Sequence, residues 1–159
     1  MKFQRYGLAL ATLFLGLIVN AYAFNVDIEG MIRGAFVDSI IHVESKGHDD
    51  AIAKDGSAGP LQIRAILVKD VNRILARRGD TMRFKLNDRF NREKAIQMFW
   101  IYQSFYGQEG DSYEVMARRW NGGPKGPEKK STMKYWRKVN KQFTIRTEGL
   151  EIAEAGKEI

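Results

Sequence analysis

The sequence contains no cysteine, which excludes disulfide bonds and structural zinc sites built on thiolates. Histidine is scarce as well, because only His42 and His48 are present, and they are not spaced as a pair of metal ligands. We expect both to lie at the surface or in a loop. The sequence also has no internal repeat and no alternation of apolar and polar residues typical of β-strands. The fold must therefore be held by the packing of apolar side chains.

The N-terminal segment has a composition unlike the remainder of the chain. Two basic residues precede a largely apolar run from Leu8 to Val19, and Ala21-Tyr22-Ala23 follows as a small-x-small cleavage site. This layout is typical of a secretory signal peptide. A retained membrane anchor is the alternative, but the run is short for a span of about 20 residues and Asn20 interrupts it. We predict a signal peptide over residues 1–23, no stable transmembrane anchor, and a mature protein in the periplasm or outside the cell.

The chain is basic, with a formal net charge of +7 over 159 residues. A basic exported protein is attracted to anionic polymers such as cell-wall glycan, acidic lipid surfaces and nucleic acid. A well-solvated surface accounts for the same charge equally well. No nucleic-acid-binding motif occurs among the basic residues, so we do not expect nucleic acid as a partner.

Apolar residues recur at three- and four-residue steps in five segments, which predicts an all-α domain. The predicted helices run from residue 28 to 43, from 63 to near 79, from 92 to 106, from 111 or 112 to about 120, and from 131 or 132 to about 143. Asn91 is expected to cap the third helix, and Ser131 or Thr132 the fifth. Two Gly-rich loops, Lys46–Pro60 and Asn121–Pro127, separate helices. The domain is predicted over residues 24–143, followed by a loosely attached charged tail over residues 144–159.

Glu44 lies at the boundary between the first apolar stripe and the first Gly-rich loop. A carboxylate in this position can be half buried beside apolar groups, which raises its pKa and keeps it protonated enough to act as a general acid. An ordinary surface glutamate in the last turn of a helix is the alternative. Such a glutamate opposes the helix dipole, so the position is mildly unfavourable unless the carboxylate has a use.

Three short motifs follow one another along the chain. The first is Glu44-Ser45 and, after a loop, Gly56-Ser57-Ala58-Gly59-Pro60-Leu61-Gln62-Ile63; the second is Arg119-Trp120-Asn121-Gly122-Gly123-Pro124; the third combines Thr132, Tyr135, Lys138 and Val139. In this order they resemble the soluble lytic transglycosylase domain, a relative of goose-type lysozyme, over roughly residues 32–139. The chain departs from the family pattern at Trp120, where the family has Tyr, and at Pro60, where it has Leu.

The resemblance implies a compact lysozyme-like helical domain with a substrate cleft that cleaves peptidoglycan. Glu44, as the sole acid/base, would protonate the bond between N-acetylmuramic acid and N-acetylglucosamine. It would then accept the proton of the muramoyl 6-hydroxyl, which closes a 1,6-anhydro ring without water. The resemblance implies no metal and no cofactor. We expect a monomer whose partner is the peptidoglycan glycan strand. The resemblance also suggests a cell-envelope or secretion assembly as a further partner.

The resemblance also assigns substrate-binding roles in the first motif, and each has a structural alternative. Ser45 would hydrogen-bond the substrate or steady Glu44, or else bond the helix backbone. Gln62 would donate its amide to an N-acetyl group, or else bond across the loop. Gly59, like Gly56, would allow close approach of a sugar, or else serve only the backbone geometry of the loop.

The other motifs supply three further candidates for substrate binding. Asn121 would bond the glycan or its own loop. Trp120 keeps the flat apolar face of the Tyr that it replaces and loses the hydroxyl. Tyr135 would bring a phenolic hydroxyl to Glu44 and orient its reactivity, or else lie in the core.

Two other functions are compatible with the same residues. A lysozyme-like hydrolase would need a group to position water, and Asp49, Asp50 and Asp55 in the loop after Glu44 are candidates. The sequence does not choose between the reactions, because the product depends on whether water or the 6-hydroxyl reaches the anomeric carbon. A catalytically silent glycan-binding or scaffold protein is the third possibility.

Overall fold

The computed structural model describes residues 28–155, and the side chains of residues 28–150. This part of the chain is predominantly helical and contains no strand, which confirms the all-α prediction. Its helices are α1 over residues 28–45, α2 Ala65–Arg77, α3 Arg92–Tyr106, α4 Tyr113–Gly122 and α5 Met133–Ala155. Short 3₁₀ helices cover Leu86–Phe90, Gly126–Glu128 and Lys130–Thr132.

The chain divides into two units, Met1–Gly34 and Ala35–Ile159. In the first unit the structure describes residues 28–34, which are helical. The second unit begins with helical residues 35–45 and contains every residue of the site presented below. The predicted signal peptide at residues 1–23 lies outside the described residues. Between residues 28 and 155, no helix combines the length and apolar character that crossing a membrane requires.

Local sequence signals explain where two of the helices begin. The Asn91 side chain accepts a hydrogen bond from the backbone N–H of Lys94 at 3.0 Å, so it caps α3 as predicted. The Ser112 side chain accepts from the backbone N–H of Val115 at 3.4 Å at the start of α4. Both caps satisfy a backbone donor that the first turn of a helix leaves unpaired.

The core of the second unit forms around Phe36 of α1, which is fully buried. Its ring centroid lies 4.5 Å from that of Tyr113 in α4 and 5.7 Å from that of Phe143 in α5. Phe99 of α3 completes the cluster at 6.2 Å. Burial of one such aromatic side chain contributes about 2–3 kcal/mol. The apolar stripe that the periodicity predicts thus fixes α1, and with it Glu44, against three other helices.

Two predicted boundaries are wrong. α5 continues past residue 143 to Ala155, because the charged segment that follows contains good helix formers and no proline. Asn121 and Gly122 belong to α4, since a single glycine weakens a helix without ending it. Thr132 directly precedes α5, and its hydroxyl lies 2.8 Å from the carbonyl oxygens of Gly126 and Lys129, to either of which it can donate.

Candidate active site

A cavity of about 490 Å³ opens beside the last turn of α1. Its walls come from that turn, from the loop between α1 and α2, and from α2, α3 and α4. The lining residues are Glu44 from α1; Asp55, Ser57, Gln62, Ile63 and Arg64 from the loop; Ile66 and Leu67 from α2; Tyr102 from α3; and Trp120, Asn121, Gly122 and Gly123 from the end of α4 and the residue after it. The first two sequence motifs therefore meet at one cavity.

Glu44 is the half-buried carboxyl group on the cavity wall. Burial raises its pKa from the ordinary value of 4.5 to about 7, and repulsion by the Asp55 carboxylate acts in the same direction. The hydrogen bond from Tyr135 and an interaction with Trp120 oppose this rise without cancelling it. A carboxyl group with this pKa is present in both protonation states near neutral pH, so it can donate a proton and later take one back.

Tyr135 supplies the closest polar contact to that carboxyl group. Its hydroxyl donates a hydrogen bond of 2.7 Å to Oε1 of Glu44, which confirms the predicted contact. Burial and the nearby Glu44 charge raise the pKa of Tyr135 well above 10, so the hydroxyl keeps its proton. Val139, four residues further along α5 on the same face, is fully buried and fixes the orientation of this helix.

Asp55 belongs to a network of polar side chains in the loop between α1 and α2. Its Oδ1 accepts hydrogen bonds from the backbone N–H and the hydroxyl of Ser57, at 3.1 and 2.7 Å. Both hydrogen bonds lower the pKa of Asp55, and the one from the Ser57 hydroxyl has the larger effect. The Asp55 carboxylate therefore stays charged in the cavity. The hydroxyl of Ser57 also lies 3.1 Å from Oε1 of Gln62. Arg64 adds an exposed ion pair to Asp55 at 3.7 Å.

Gln62 lines the cavity, but its amide braces the loop. Nε2 donates to the carbonyl oxygen of Gly59 at 2.9 Å and to that of Ala51 at 3.3 Å. Gln62 also has a φ of 47°, a left-handed conformation that few non-glycine residues adopt. Its amide hydrogens are thus used within the loop, which is the structural alternative for this residue.

Gly59 and Arg89 fix the position of the loop from behind. Gly59 has a φ of +78°, and a Cβ atom there would lie 1.8 Å from the carbonyl oxygen of Arg89. The buried guanidinium of Arg89 donates to the carbonyl oxygens of Gly56 and Ile63 at 2.9 and 3.0 Å. Gly59 therefore serves backbone geometry and does not line the cavity. Sequence reasoning missed Arg89, because no local pattern shows which arginine is buried.

The second motif places Trp120 and Asn121 on the opposite wall. The Trp120 ring packs on Phe99 with the ring centroids 4.9 Å apart. It also packs edge-to-face with Tyr102, at a centroid distance of 6.0 Å. The preceding residue, Arg119, is buried and ties α4 to α3 through a hydrogen bond of 2.9 Å from Nη1 to Oε1 of Gln103. It also forms an ion pair of 2.5 Å with Asp111 in the loop between these helices. Asn121 is exposed at the cavity, where its amide can meet a ligand.

The structure separates the remaining candidates. Ser45 is buried, and its hydroxyl donates to the carbonyl oxygen of Ile41 at 3.2 Å, which is the structural alternative. Asp49 pairs with Arg92 at 2.7 Å, away from the cavity. Asp50 is exposed and does not line the cavity either. Of the three candidate aspartates, Asp55 alone shares the cavity with Glu44.

Sequence reasoning also missed the α2 side of the cavity. Ile66 is one of the apolar residues whose spacing predicts the second helix, yet 67% of it is exposed. The buried residues of α2 are Val68, Val71, Ile74 and Leu75. Ile66 shares a helix face with Asp70 and Arg73, which follow it by four and seven residues. These polar neighbours were the available sequence signal that this face is exposed.

No group of three or more His, Asp or Glu side chains in residues 28–150 is placed to hold a metal ion. A scan of the chain against protein-family models finds no match, and a search of curated proteins finds none. The chemistry of the cavity is therefore inferred from its own residues.

Proposed function

We propose that the protein is a lytic transglycosylase of peptidoglycan, built as a lysozyme-like helical domain with Glu44 as its acid/base. The observation that carries the proposal is the half-buried Glu44 carboxyl group on the wall of a cavity, with a pKa of about 7 and a hydrogen bond from Tyr135. A surface glutamate in the last turn of a helix would have neither the raised pKa nor the buried phenol.

Protonated Glu44 gives its proton to the glycosidic oxygen as the bond to the anomeric carbon of the muramoyl residue breaks. The sugar gains oxocarbenium character, and the carboxylate that remains stabilises it. The muramoyl 6-hydroxyl then attacks the same carbon and passes its proton to Glu44. This closes a 1,6-anhydro ring and restores the acid. The Tyr135 hydroxyl donates to Oε1, so it holds the carboxyl group in place through both steps.

The remaining cavity residues suit a sugar ligand. A volume of about 490 Å³ lies within the usual range of about 300–1,000 Å³ for ligand sites. Trp120, packed against Phe99, offers a rigid aromatic side chain on one wall. The exposed amide of Asn121 offers hydrogen bonds to hydroxyl or N-acetyl groups.

A lysozyme-like hydrolase is the second candidate, and the position of Asp55 favours it. The Asp55 carboxylate is held charged by Ser57 in the cavity that Glu44 lines, as a base that positions water would be. In that case water would attack the anomeric carbon, Asp55 would accept its proton, and the product would have a reducing end.

Mass spectrometry of the fragments released from purified peptidoglycan tests the proposal. We expect the wild-type protein to release fragments with 1,6-anhydromuramic acid ends, Glu44→Gln to release none, and Asp55→Asn to retain the reaction. Reducing ends that disappear in both variants would replace the proposal by the hydrolase. No fragments from the wild-type protein, with glycan binding retained by Glu44→Gln, would identify a catalytically silent binding protein.

The substrate is found outside the cytoplasm, so the proposal includes export through the signal peptide predicted at residues 1–23. Peptidoglycan strands are then the partner. A cell-envelope or secretion assembly that needs a local opening in the wall is a further partner consistent with this activity.

A further inference from the structure

A second cavity, of about 410 Å³, adjoins the first. The two cavities share three lining residues, Ile66, Leu67 and Tyr102, so they form one continuous groove along the start of α2. Lys69, Asp70 and Arg73 of α2 and Pro124 complete the lining of the second cavity. We refer to it as the α2 groove.

The α2 groove has an apolar floor that is open to solvent. Ile66 is 67% exposed although it is a large aliphatic residue, and Leu67 is half-buried beside it. Each apolar Å² that a ligand covers contributes about 25 cal/mol, so an aliphatic ligand group would be stabilised here. Tyr102 and Pro124 offer further apolar surface, from α3 and from the loop after α4.

Two polar side chains of the α2 groove, Asp70 and Arg73, are paired with each other and with Tyr106 beside the groove. Oδ2 of Asp70 accepts a hydrogen bond from the Tyr106 hydroxyl at 2.8 Å. Arg73 forms an ion pair with Asp70 and donates to the same hydroxyl at 2.8 Å. Lys69 is exposed and has no ion-pair partner within the described residues. The α2 groove therefore presents apolar surface beside an unpaired ammonium group.

We propose that the α2 groove binds the stem peptide of the peptidoglycan substrate, an inference that rests on the proposed function. The stem is attached to the muramoyl residue whose anomeric carbon Glu44 would act on, so a continuous groove can hold both. Stem peptides carry small aliphatic side chains and free carboxylates, which match Ile66 and Leu67 on one side and Lys69 on the other.

A further length of glycan fits the same groove less well. Sugar hydroxyls lose their hydrogen bonds to water on binding and need protein partners in exchange. Asp70 and Arg73 already bond each other and the Tyr106 hydroxyl, and the rest of the lining is largely apolar. The lining thus favours the peptide over the glycan.

The experiment compares initial rates of cleavage for soluble glycan strands that carry stem peptides and for the same strands after an amidase has removed them. We expect the wild-type protein to favour the stem-bearing strands. In the double variant Ile66→Ser/Lys69→Ala we expect the ratio of the two rates to fall roughly fivefold to tenfold. Ile66 and Lys69 are both exposed, so the double variant should fold.

The matched control is Ile52→Ser/Lys134→Ala, which makes the same exchanges at exposed positions that line neither cavity. We expect it to keep the wild-type ratio. Equal rates of the wild-type protein on the two substrates would overturn the stem-peptide site and leave the proposed function standing. An unchanged ratio of the two rates in the variant Ile66→Ser/Lys69→Ala would also overturn the stem-peptide site. If the wild-type protein cleaves neither substrate, the proposed function itself fails and the inference falls with it.

Discussion

At the scale of single residues, Glu44 combines features that are individually unfavourable. It lies in the last turn of α1, where a negative charge opposes the helix dipole, and burial adds a desolvation cost to its ionised form. The Tyr135 hydrogen bond recovers part of this cost, because a donor favours the carboxylate. The result is a carboxyl group with a pKa of about 7, which is present in both protonation states near neutral pH.

The first prediction concerns the pH dependence of cleavage. In the proposed reaction protonated Glu44 starts cleavage, so we expect kcat/KM to fall as the pH rises through about 7. Tyr135→Phe removes a donor that favours the carboxylate, so the pKa of Glu44 rises and this fall moves to higher pH. We also expect kcat to drop about tenfold to a hundredfold, since the carboxyl group is no longer held in place.

The matched control is Tyr106→Phe, which removes a hydroxyl that bonds Asp70 and Arg73 and not Glu44. Its pH profile should coincide with that of the wild-type protein. A Tyr135→Phe profile that also coincides with it would contradict the role given to this hydrogen bond.

The second prediction concerns stability. The pKa of Glu44 is raised from 4.5 to about 7 in the folded state, so the folded protein holds this proton more tightly than the unfolded chain. This contribution to stability is fully present below pH 4.5 and is lost as the pH rises through 7. Glu44→Gln removes the ionisation. Relative to the wild-type protein, we expect the variant to gain about 2–3 kcal/mol in the free energy of unfolding between pH 4 and pH 9.

Urea unfolding of both proteins at the two pH values measures this difference, because titrations elsewhere in the chain cancel between them. A stability difference between the two proteins that is the same at pH 4 and pH 9 would show that Glu44 has an ordinary pKa in the folded protein.

At the scale of elements, the loop between α1 and α2 forms one wall of the cavity. Its backbone is held by the Gln62 amide from within and by Arg89 from behind. The short 3₁₀ helix Leu86–Phe90 backs the loop closely enough to leave no room for a side chain at Gly59. The wall is therefore rigid although it contains no regular secondary structure.

The third prediction compares two glycines of this loop. Gly56 and Gly59 both have positive φ, +80° and +78°, but only Gly59 faces the Arg89 carbonyl. We expect Gly56→Ala to cost about 1 kcal/mol of stability through backbone strain. Gly59→Ala adds the clash and should cost about 3 kcal/mol or more. Thermal unfolding of both variants gives the comparison, and equal losses would contradict the close packing described here.

The sequence predicts local features of this architecture better than contacts between elements. Periodicity is a local signal, so it places Glu44 at the end of α1. Ser45 and Gln62 were left with two alternatives each, because the pattern does not show whether a backbone carbonyl lies within reach. The hydrogen bond between Tyr135 and Glu44 joins residues 91 positions apart. The family resemblance suggested this contact, whereas the spacing of apolar residues gave no sign of it. The α2 groove depends on the tertiary placement of Tyr102, which no local pattern contains.

At the scale of the whole molecule, the helices of the second unit bring the three motifs together. α1 supplies the carboxyl group, α4 the aromatic wall and α5 the phenol, while Phe36 and Phe99 pack beneath them. The net charge of +7 is compatible with the proposed cell-wall substrate, because basic proteins are attracted to anionic polymers. A single general acid in such a cavity is sufficient for a reaction in which the substrate supplies its own nucleophile.

In the proposed reaction, the 6-hydroxyl of the substrate, and not water, attacks the anomeric carbon after Glu44 has given up its proton. Digestion of peptidoglycan in water labelled with heavy oxygen, followed by mass spectrometry of the released fragments, tests this directly. We expect 1,6-anhydro ends that contain no label, formed by the wild-type protein and not by Glu44→Gln. Labelled reducing ends would contradict the claim and assign the cavity to a hydrolase.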